Sequence, residues 1–262
     1  MDLMLKKRKI LVTGGSKGIG LACAQVLASE GADLIISSRS EENLATAKEI
    51  IGEHKGELLT FAADISRKDD IDALGEYLVT KFGYADGIVI NAGGPPMGPV
   101  LGHSDEIWTH AVNSLLMSVV RLTRIFVPLM KERKFGRIIN ISSTGVKQPI
   151  QGLVLSNSVR QAAGTYLKTL SADVAGDNIF INTLLPGATD TDRLASLHRT
   201  IAERTGKNLD EVIAARKSSI PAGRFGDPVN LASLAAFLLS ERNGYITGQS
   251  IAVDGGQVSF PL

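Results

Sequence analysis

Short runs of Ile, Val and Leu punctuate the chain at Ile10 to Val12, Leu34 to Ile36, Leu58 to Phe61, Ile88 to Ile90, Ile138 to Ile141 and Ile179 to Leu185. Runs that are apolar throughout, instead of at alternate positions, predict strands covered on both faces. Between them, residues 19–30, 41–53, 68–82, 105–132 and 156–174 carry apolar residues at helical spacing. Gly31, Gly52, Gly83, Gly136 and Gly176 stand where those helices are expected to stop. Alternating strand and helix predicts an α/β fold, a doubly wound parallel sheet with helices on both faces. No repeat, low-complexity tract or Pro/Gly/Ser linker divides the chain, so residues 1–262 are read as a single domain. Residues 188–220 break the rhythm with a polar, helically patterned insertion after a strand, a position that predicts a lid over the ligand crevice.

Composition narrows the partners. Lys and Arg number 28 against 27 Asp and Glu, a formal net charge of +1. Such a balance argues against nucleic acid, which demands a surplus of cations. The single cysteine, Cys23, excludes a disulfide framework and a multi-thiolate zinc site, and the four histidines have no metal-ligand spacing. No metal is therefore expected. The first residues place their charges after a very short apolar stretch, the reverse of a secretory signal, and no later apolar run approaches the ~20 residues of a membrane span. The expected address is cytoplasmic.

Candidate chemistry begins at the first strand, which runs into Thr13-Gly14-Gly15-Ser16-Lys17-Gly18-Ile19-Gly20 and then a helix. This is where the dinucleotide-binding (Rossmann) form of the fold keeps its phosphate turn. Glycines let backbone N–H groups approach a pyrophosphate, and the helix N-terminus adds partial positive charge. The Gly-x-x-x-Gly-x-Gly spacing satisfies neither the Gly-x-Gly-x-x-Gly nor the Walker A order, which disfavours a kinase or ATPase. A ligand-free tight turn is the competing reading. After the second strand, Ser37-Ser38-Arg39 offers a guanidinium where enzymes of the non-phosphorylated dinucleotide tend to hold a carboxylate. Arg39, with Lys17 across the turn, suits a ribose 2′-phosphate. Alternatively, Arg39 is a surface charge paired with Glu41 or Glu42.

Seven short motifs now line up in order: Gly14-x-x-x-Gly18-x-Gly20, Asp64, Asn91-Ala92-Gly93, Asn113, Ile141-Ser142-Ser143, Pro186-Gly187-x-x-x-Thr191, and Tyr245-Ile246-Thr247-Gly248-Gln249 with Asp254-Gly255-Gly256. Together they resemble the short-chain dehydrogenase/reductase family across nearly the whole chain, and look most like its 3-oxoacyl-acyl-carrier-protein reductases. The resemblance implies that Gly14, Ser16, Lys17, Gly18, Ile19 and Gly20 hold the pyrophosphate side of the cofactor, with Ser38 and Arg39 at the 2′ position. It gives Asp64 and Ile65 to the adenine, Asn91, Ala92 and Gly93 to the adenosine ribose, and Pro186, Gly187, Thr189 and Thr191 to the nicotinamide. Asp64 as a helix cap, Asn91 as a brace and Pro186-Gly187 as a plain turn are the alternatives.

The family's proton-transfer set is a Ser, a Tyr, a Lys four residues after the Tyr, and an Asn bracing a water relay. Ser143 and Asn113 fit the Ser and Asn. Alignment on the flanking residues puts Ser156 in the Tyr place and Arg160 in the Lys place, so Asn113, Ser143, Ser156 and Arg160 are the expected catalytic group, with Arg160 also on the nicotinamide ribose. Spacing is kept, since both positions share a helix face. A serine hydroxyl is shorter and much less acidic than a phenol, which makes it a poor proton donor. Lys147 is a candidate substitute acid or a plain loop lysine, and Tyr166 lies on another side of the helix.

Two functions follow. One is an oxidoreductase moving a hydride between NADP(H), or less favourably NAD(H), and a carbonyl or secondary alcohol such as a 3-oxoacyl thioester. The other is a weakly active or silent dinucleotide-binding protein serving as a cofactor sensor or partner subunit. The resemblance also implies a homotetramer built on the helices over 105–132 and 156–174 and on a C-terminal segment containing Ile246, Val258, Phe260 and Leu262.

Overall fold

The computed structural model describes residues 2–259. Seven parallel strands form one sheet in the order β3-β2-β1-β4-β5-β6-β7. They are β1 (Lys9–Thr13), β2 (Asp33–Ser38), β3 (Leu58–Ala62), β4 (Gly87–Ile90), β5 (Gly136–Ile141), β6 (Ile179–Pro186) and β7 (Ser250–Val253). The order reverses between β1 and β4, and the crevice beyond the carboxyl ends of these strands is where such a sheet binds ligands. The six apolar runs of the sequence are the first six strands. The seventh, Ser250–Val253, is only partly buried and lies at the sheet edge beside β6.

Strand residues alternate between two cores. Ile10, Val12, Leu34, Ile36, Val89 and Ile139 face one side, where α1 (Gly18–Ser29), α2 (Glu41–Ile51) and α9 (Pro228–Leu239) pack. Small residues allow the close approach of α1 and α9: Ala22, Cys23, Ala24 and Ala28 meet Ala232, Ala235 and Ala236, all buried. Leu11, Ile35, Ile88, Ile90, Ile138 and Ile181 face the other side, beneath α3 (Lys68–Phe82), α5 (Ser118–Arg133) and α6 (Val154–Val174). A smaller cluster of Ala111, Leu115, Leu155 and Val159 fastens α4 (Asp105–Val112) to α6.

Several boundaries differ from the expectations. The stretch expected over 105–132 is interrupted by a π-helical turn at Asn113–Met117 between α4 and α5. Left-handed residues terminate α5 and the short turn after α6, but they are Lys134 (φ 51°) and Asn178 (φ 57°), not Gly136 and Gly176. Gly136 instead opens β5, where Met130 Sδ would lie 2.5 Å from an added Cβ. One stretch, Asp105–Arg133, is long and apolar enough by length and composition to cross a membrane, contrary to the reading of the sequence. Its Ser and Arg residues interrupt every apolar run without lowering the average far. Leu122, Phe126 and Met130 on it are fully buried in the second core. The insertion forms α7 (Asp192–Thr205) and α8 (Leu209–Ser218), separated at Gly206.

Candidate active site

The glycine turn leaves β1 with Gly14 at φ +56° and Gly18 at φ +53°, a region that side chains rarely adopt. Space also demands glycine: a Cβ on Gly20 would lie 2.1 Å from the Gly14 carbonyl oxygen, and one on Gly14 would lie 2.7 Å from that of Asn91. Asn91, at the end of β4, donates from Nδ2 to the Gly14 carbonyl at 3.1 Å, and its backbone N–H donates to Thr13 Oγ1 at 3.0 Å. The bracing role left open for Asn91 is thus present. Lys17 occupies the N-cap of α1 without a side-chain cap, so the helix presents its first N–H groups to the crevice. A glycine cradle over a helix N-terminus fits the pyrophosphate of a dinucleotide.

Around this turn the other strand ends supply their residues. Arg39 is exposed, and no carboxylate among the described residues pairs with it, so the alternative pairing with Glu41 or Glu42 is absent. Ser38 Oγ donates to the Ser40 carbonyl at 3.4 Å, and Ser40 caps α2. Asp64 Oδ1 accepts from the Ser66 N–H at 2.9 Å in a local turn, two residues short of α3. Burial raises the Asp64 carboxyl, but the Ser66 N–H and hydroxyl, Arg39 and His110 together bring it below its ordinary value. Ile65 packs into the second core, and Gly93 has open space around it. At the end of β6, Gly187 lies against Asp254, where an added Cβ would meet the Asp254 Cα at 2.7 Å. Thr189 Oγ1 donates to the Gly187 carbonyl at 3.4 Å. Thr191 caps α7 by accepting from the Leu194 N–H, and its methyl would sit 3.2 Å from a Cβ on Gly18. Thr191 and the glycine turn are therefore neighbours at the carboxyl ends of the strands.

Arg160 reaches the carboxyl ends of β4 and β5 from α6. It and Ser156 lie one turn apart on α6, and both are buried. Arg160 Nε donates to Ser156 Oγ at 3.2 Å, Nη1 to the Ile141 carbonyl at 2.8 Å and Nη2 to the Ala92 carbonyl at 3.4 Å. The guanidinium thus spans the ends of β4 and β5. Burial, reinforced by the nearby Arg193 cation, pushes its pKa down to about 10. Ser143 follows β5 and caps a single 3-10 turn, its Oγ accepting from the Gly145 N–H at 3.1 Å. Asn113 opens the π-helical turn, and its Oδ1 accepts from Arg121 Nη2 at 3.2 Å. A π turn in a helix frequently marks a functional position.

Other candidates lie elsewhere. Tyr166 hydroxyl hydrogen-bonds Thr123 Oγ1 at 2.8 Å within the second core. Lys147 is exposed after a single 3-10 turn. His198 is the buried residue of α7 within the insertion, stacked on Phe225 with ring centroids 5.3 Å apart. Among the described residues no group of His, Cys, Asp and Glu is placed to hold a metal. Sequence reasoning missed Arg193, whose Nη2 donates to the Pro95 carbonyl at 2.7 Å. The available signal was a cation in the first turn of α7, where the helix dipole disfavours positive charge.

A doubly wound sheet with a glycine cradle at its switch point defines a dinucleotide-binding α/β protein. A family profile described as enoyl-(acyl carrier protein) reductase matches residues 14–257. The chain is 31% identical to a 3-oxoacyl-[acyl-carrier-protein] reductase of Vibrio cholerae over 96% of its own length and 98% of that protein's. It is 33% identical to the corresponding reductase of Thermotoga maritima, over 98% of this chain and all of that one. Its fold matches the structure of L-sorbose reductase from Gluconobacter frateurii complexed with NADPH and L-sorbose, with a TM-score of 0.94, 32% identity and full coverage of both chains. The chain belongs to the short-chain dehydrogenase/reductase family of NAD(P)-dependent oxidoreductases.

Proposed function

We propose that this protein moves a hydride between NADP(H) and a carbonyl or secondary-alcohol carbon, with Ser156 and Arg160 in the proton-transfer positions. The observation that carries this reading is the anchoring of Arg160 to Ser156, Ile141 and Ala92, which fixes a cation and a hydroxyl at the carboxyl ends of β4 and β5. When bound, the nicotinamide supplies or accepts the hydride. In this assignment the glycine turn and the α1 N-terminus hold the pyrophosphate, and Arg39 with Lys17 holds the 2′-phosphate. Asp64 and Ile65 take the adenine, Asn91 to Gly93 the neighbouring ribose, and Pro186, Gly187, Thr189 and Thr191 the carboxamide side. NAD(H) lacks the 2′-phosphate and is the weaker cofactor. The NADPH-dependent reductases among the relatives of similar structure support this preference.

Ser143 orients the substrate oxygen in this scheme. Ser156 receives the Arg160 Nε–H, which leaves its own O–H free to point at that oxygen, and the adjacent cation eases loss of the proton. Asn113 braces the relay from its π-helical turn, and residues 188–220 form the lid. The assembly is proposed as a homotetramer on the outer faces of α4, α5 and α6. Of the expected C-terminal contacts, Phe260 and Leu262 lie outside the described residues.

One observation favours a second reading, a dinucleotide-binding protein with little turnover: the hydroxyl at position 156 is short and of ordinary low acidity. Titration with NADPH and NADH, followed by absorbance assays on small ketones and 3-oxoacyl thioesters, separates the two. Binding with turnover supports the oxidoreductase. Tight NADPH binding with no turnover across the panel selects the silent protein, and failure to bind NADPH overturns both.

A further inference from the structure

Two guanidiniums converge on the loop that follows β4. Arg160 reaches it from α6 through the Ala92 carbonyl at 3.4 Å, and Arg193 reaches it from α7 through the Pro95 carbonyl at 2.7 Å. A Cβ on Gly94, between these anchors, would lie 3.1 Å from both Arg193 Nε and Nη2, so Arg193 lies flat over the loop. Among the described residues, neither arginine forms a salt bridge. Their hydrogen-bond partners are neutral carbonyls and one hydroxyl. Arg160 is only 9% exposed, and two like charges share the site. A buried cation without a counter-ion is costly, and the structure provides none.

The donor count shows what is left for a ligand. A guanidinium carries five N–H groups. Arg160 uses three, whereas Arg193 uses one, so its planar fork is largely free. Such a fork matches a carboxylate through two parallel bonds. Arg193 is exposed, and partial desolvation lowers its pKa from the ordinary value.

We infer that the substrate is a small oxo acid or hydroxy acid, whose carboxylate is taken by Arg193 with Arg160 as the second cation, so that Arg193 selects anionic over neutral carbonyl compounds. This rests on the hydride-transfer reading above and names its substrate class. It places the free acid ahead of the neutral ketone and of the thioester, in which that carboxylate charge is lost.

The test compares 2-oxobutanoate, 3-oxobutanoate and 4-oxopentanoate, each with its ethyl ester, by calorimetric titration of the protein saturated with NADP+. At least one acid is expected to bind tenfold or more tightly than its ester. Arg193→Met should reduce that acid-over-ester ratio at least tenfold, and Arg193→Lys should restore part of it. Thermal melting of both variants confirms that they fold, as expected for a side chain on the surface helix α7. If the protein binds NADP+ but no acid is preferred over its ester, or Arg193→Met keeps the full preference, the inference fails while the hydride-transfer reading stands. Failure to bind the cofactor removes both.

Discussion

Converting Ser156 to Tyr together with Arg160 to Lys should raise carbonyl reduction at least tenfold. The geometry around these residues sets the expected gain and loss. A positioned general acid contributes ~10²- to 10⁴-fold, or about 3–5.5 kcal/mol of barrier. Ser156 Oγ now ends at its bond with Arg160 Nε, whereas a phenol hydroxyl extends several ångströms further and is far more acidic. Against this, the ring enters a site where Ser156 is only 7% exposed, and overpacking costs ~1–3 kcal/mol of stability. A lysine also cannot reproduce the separate reach to the Ile141 and Ala92 carbonyls. Leaving one buried carbonyl unpaired costs a further ~1–3 kcal/mol. Against the usual 5–15 kcal/mol of domain stability, the combined loss of about 2–6 kcal/mol leaves a folded protein except at the lowest end of that range, with a fall in Tm of order ten degrees.

Because proton donation acts on the transition state, the gain should appear in kcat and leave cofactor affinity nearly unchanged. Ser156→Tyr alone should gain less, since the larger guanidinium crowds the phenol. Steady-state rates on the oxo acids, their esters and small ketones, measured beside NADPH titration and thermal melting, provide the assay. A double variant that melts as expected and binds NADPH, yet turns over more slowly than an already fast original protein, would mean that the Ser156 and Arg160 arrangement is itself catalytic or that another acid such as Lys147 carries the proton. The argument from hydroxyl acidity would then be wrong.

Three further outcomes are expected. Arg39→Asp should reverse the preference for NADP(H) over NAD(H) in binding titrations, and the original preference should shrink with added salt; equal affinities in the unmodified protein would refute the assignment of Arg39. Gly20→Ala, forced against the Gly14 carbonyl 2.1 Å away, should lower Tm by several degrees and weaken NADPH binding at least tenfold, and normal binding would show that the turn does not hold the pyrophosphate. Burial, with the Arg216 cation, holds His198 below its ordinary pKa of 6.5 despite Asp190. The unfolded chain then takes up its proton first, so stability from this group is complete above pH 6.5 and declines as pH falls below it. His198→Phe should flatten that decline in melting curves between pH 7 and 5, and an unchanged slope would assign it elsewhere.

Much of the fold was legible because the strands are buried on both faces, so Ile10 to Val12 and Ile138 to Ile141 announce themselves without context. Ser250–Val253 did not, since an edge strand of four half-buried residues resembles a loop. The glycine turn was legible from spacing, because positive φ and close approach leave almost no other residue. Arg160 was found by position, but its bonds to Ile141 and Ala92 depend on strand ends far away in sequence. Arg193 was missed for the same reason: its partner Pro95 lies on a loop nearly a hundred residues earlier. The helix ends at Lys134 and Asn178 defied the glycine rule because their own side chains and backbone are tied down, Asn178 Nδ2 donating to the Lys134 carbonyl at 3.1 Å.

The packing of α1 against α9 also has a consequence during synthesis. The cover for Leu27, Leu34 and Ile36 includes Leu231, Ala235 and Leu239, so one face of the nucleotide-binding half stays bare until the last helix leaves the ribosome. At ~5–20 residues per second, the interval between the two helices is roughly 10–40 s. Throughout that time the nascent chain displays an unfinished apolar surface at the ribosome, where a chaperone has most to shield. A ribosome stalled before α9 emerges would hold a chain able to pair its first strands but unable to close over them.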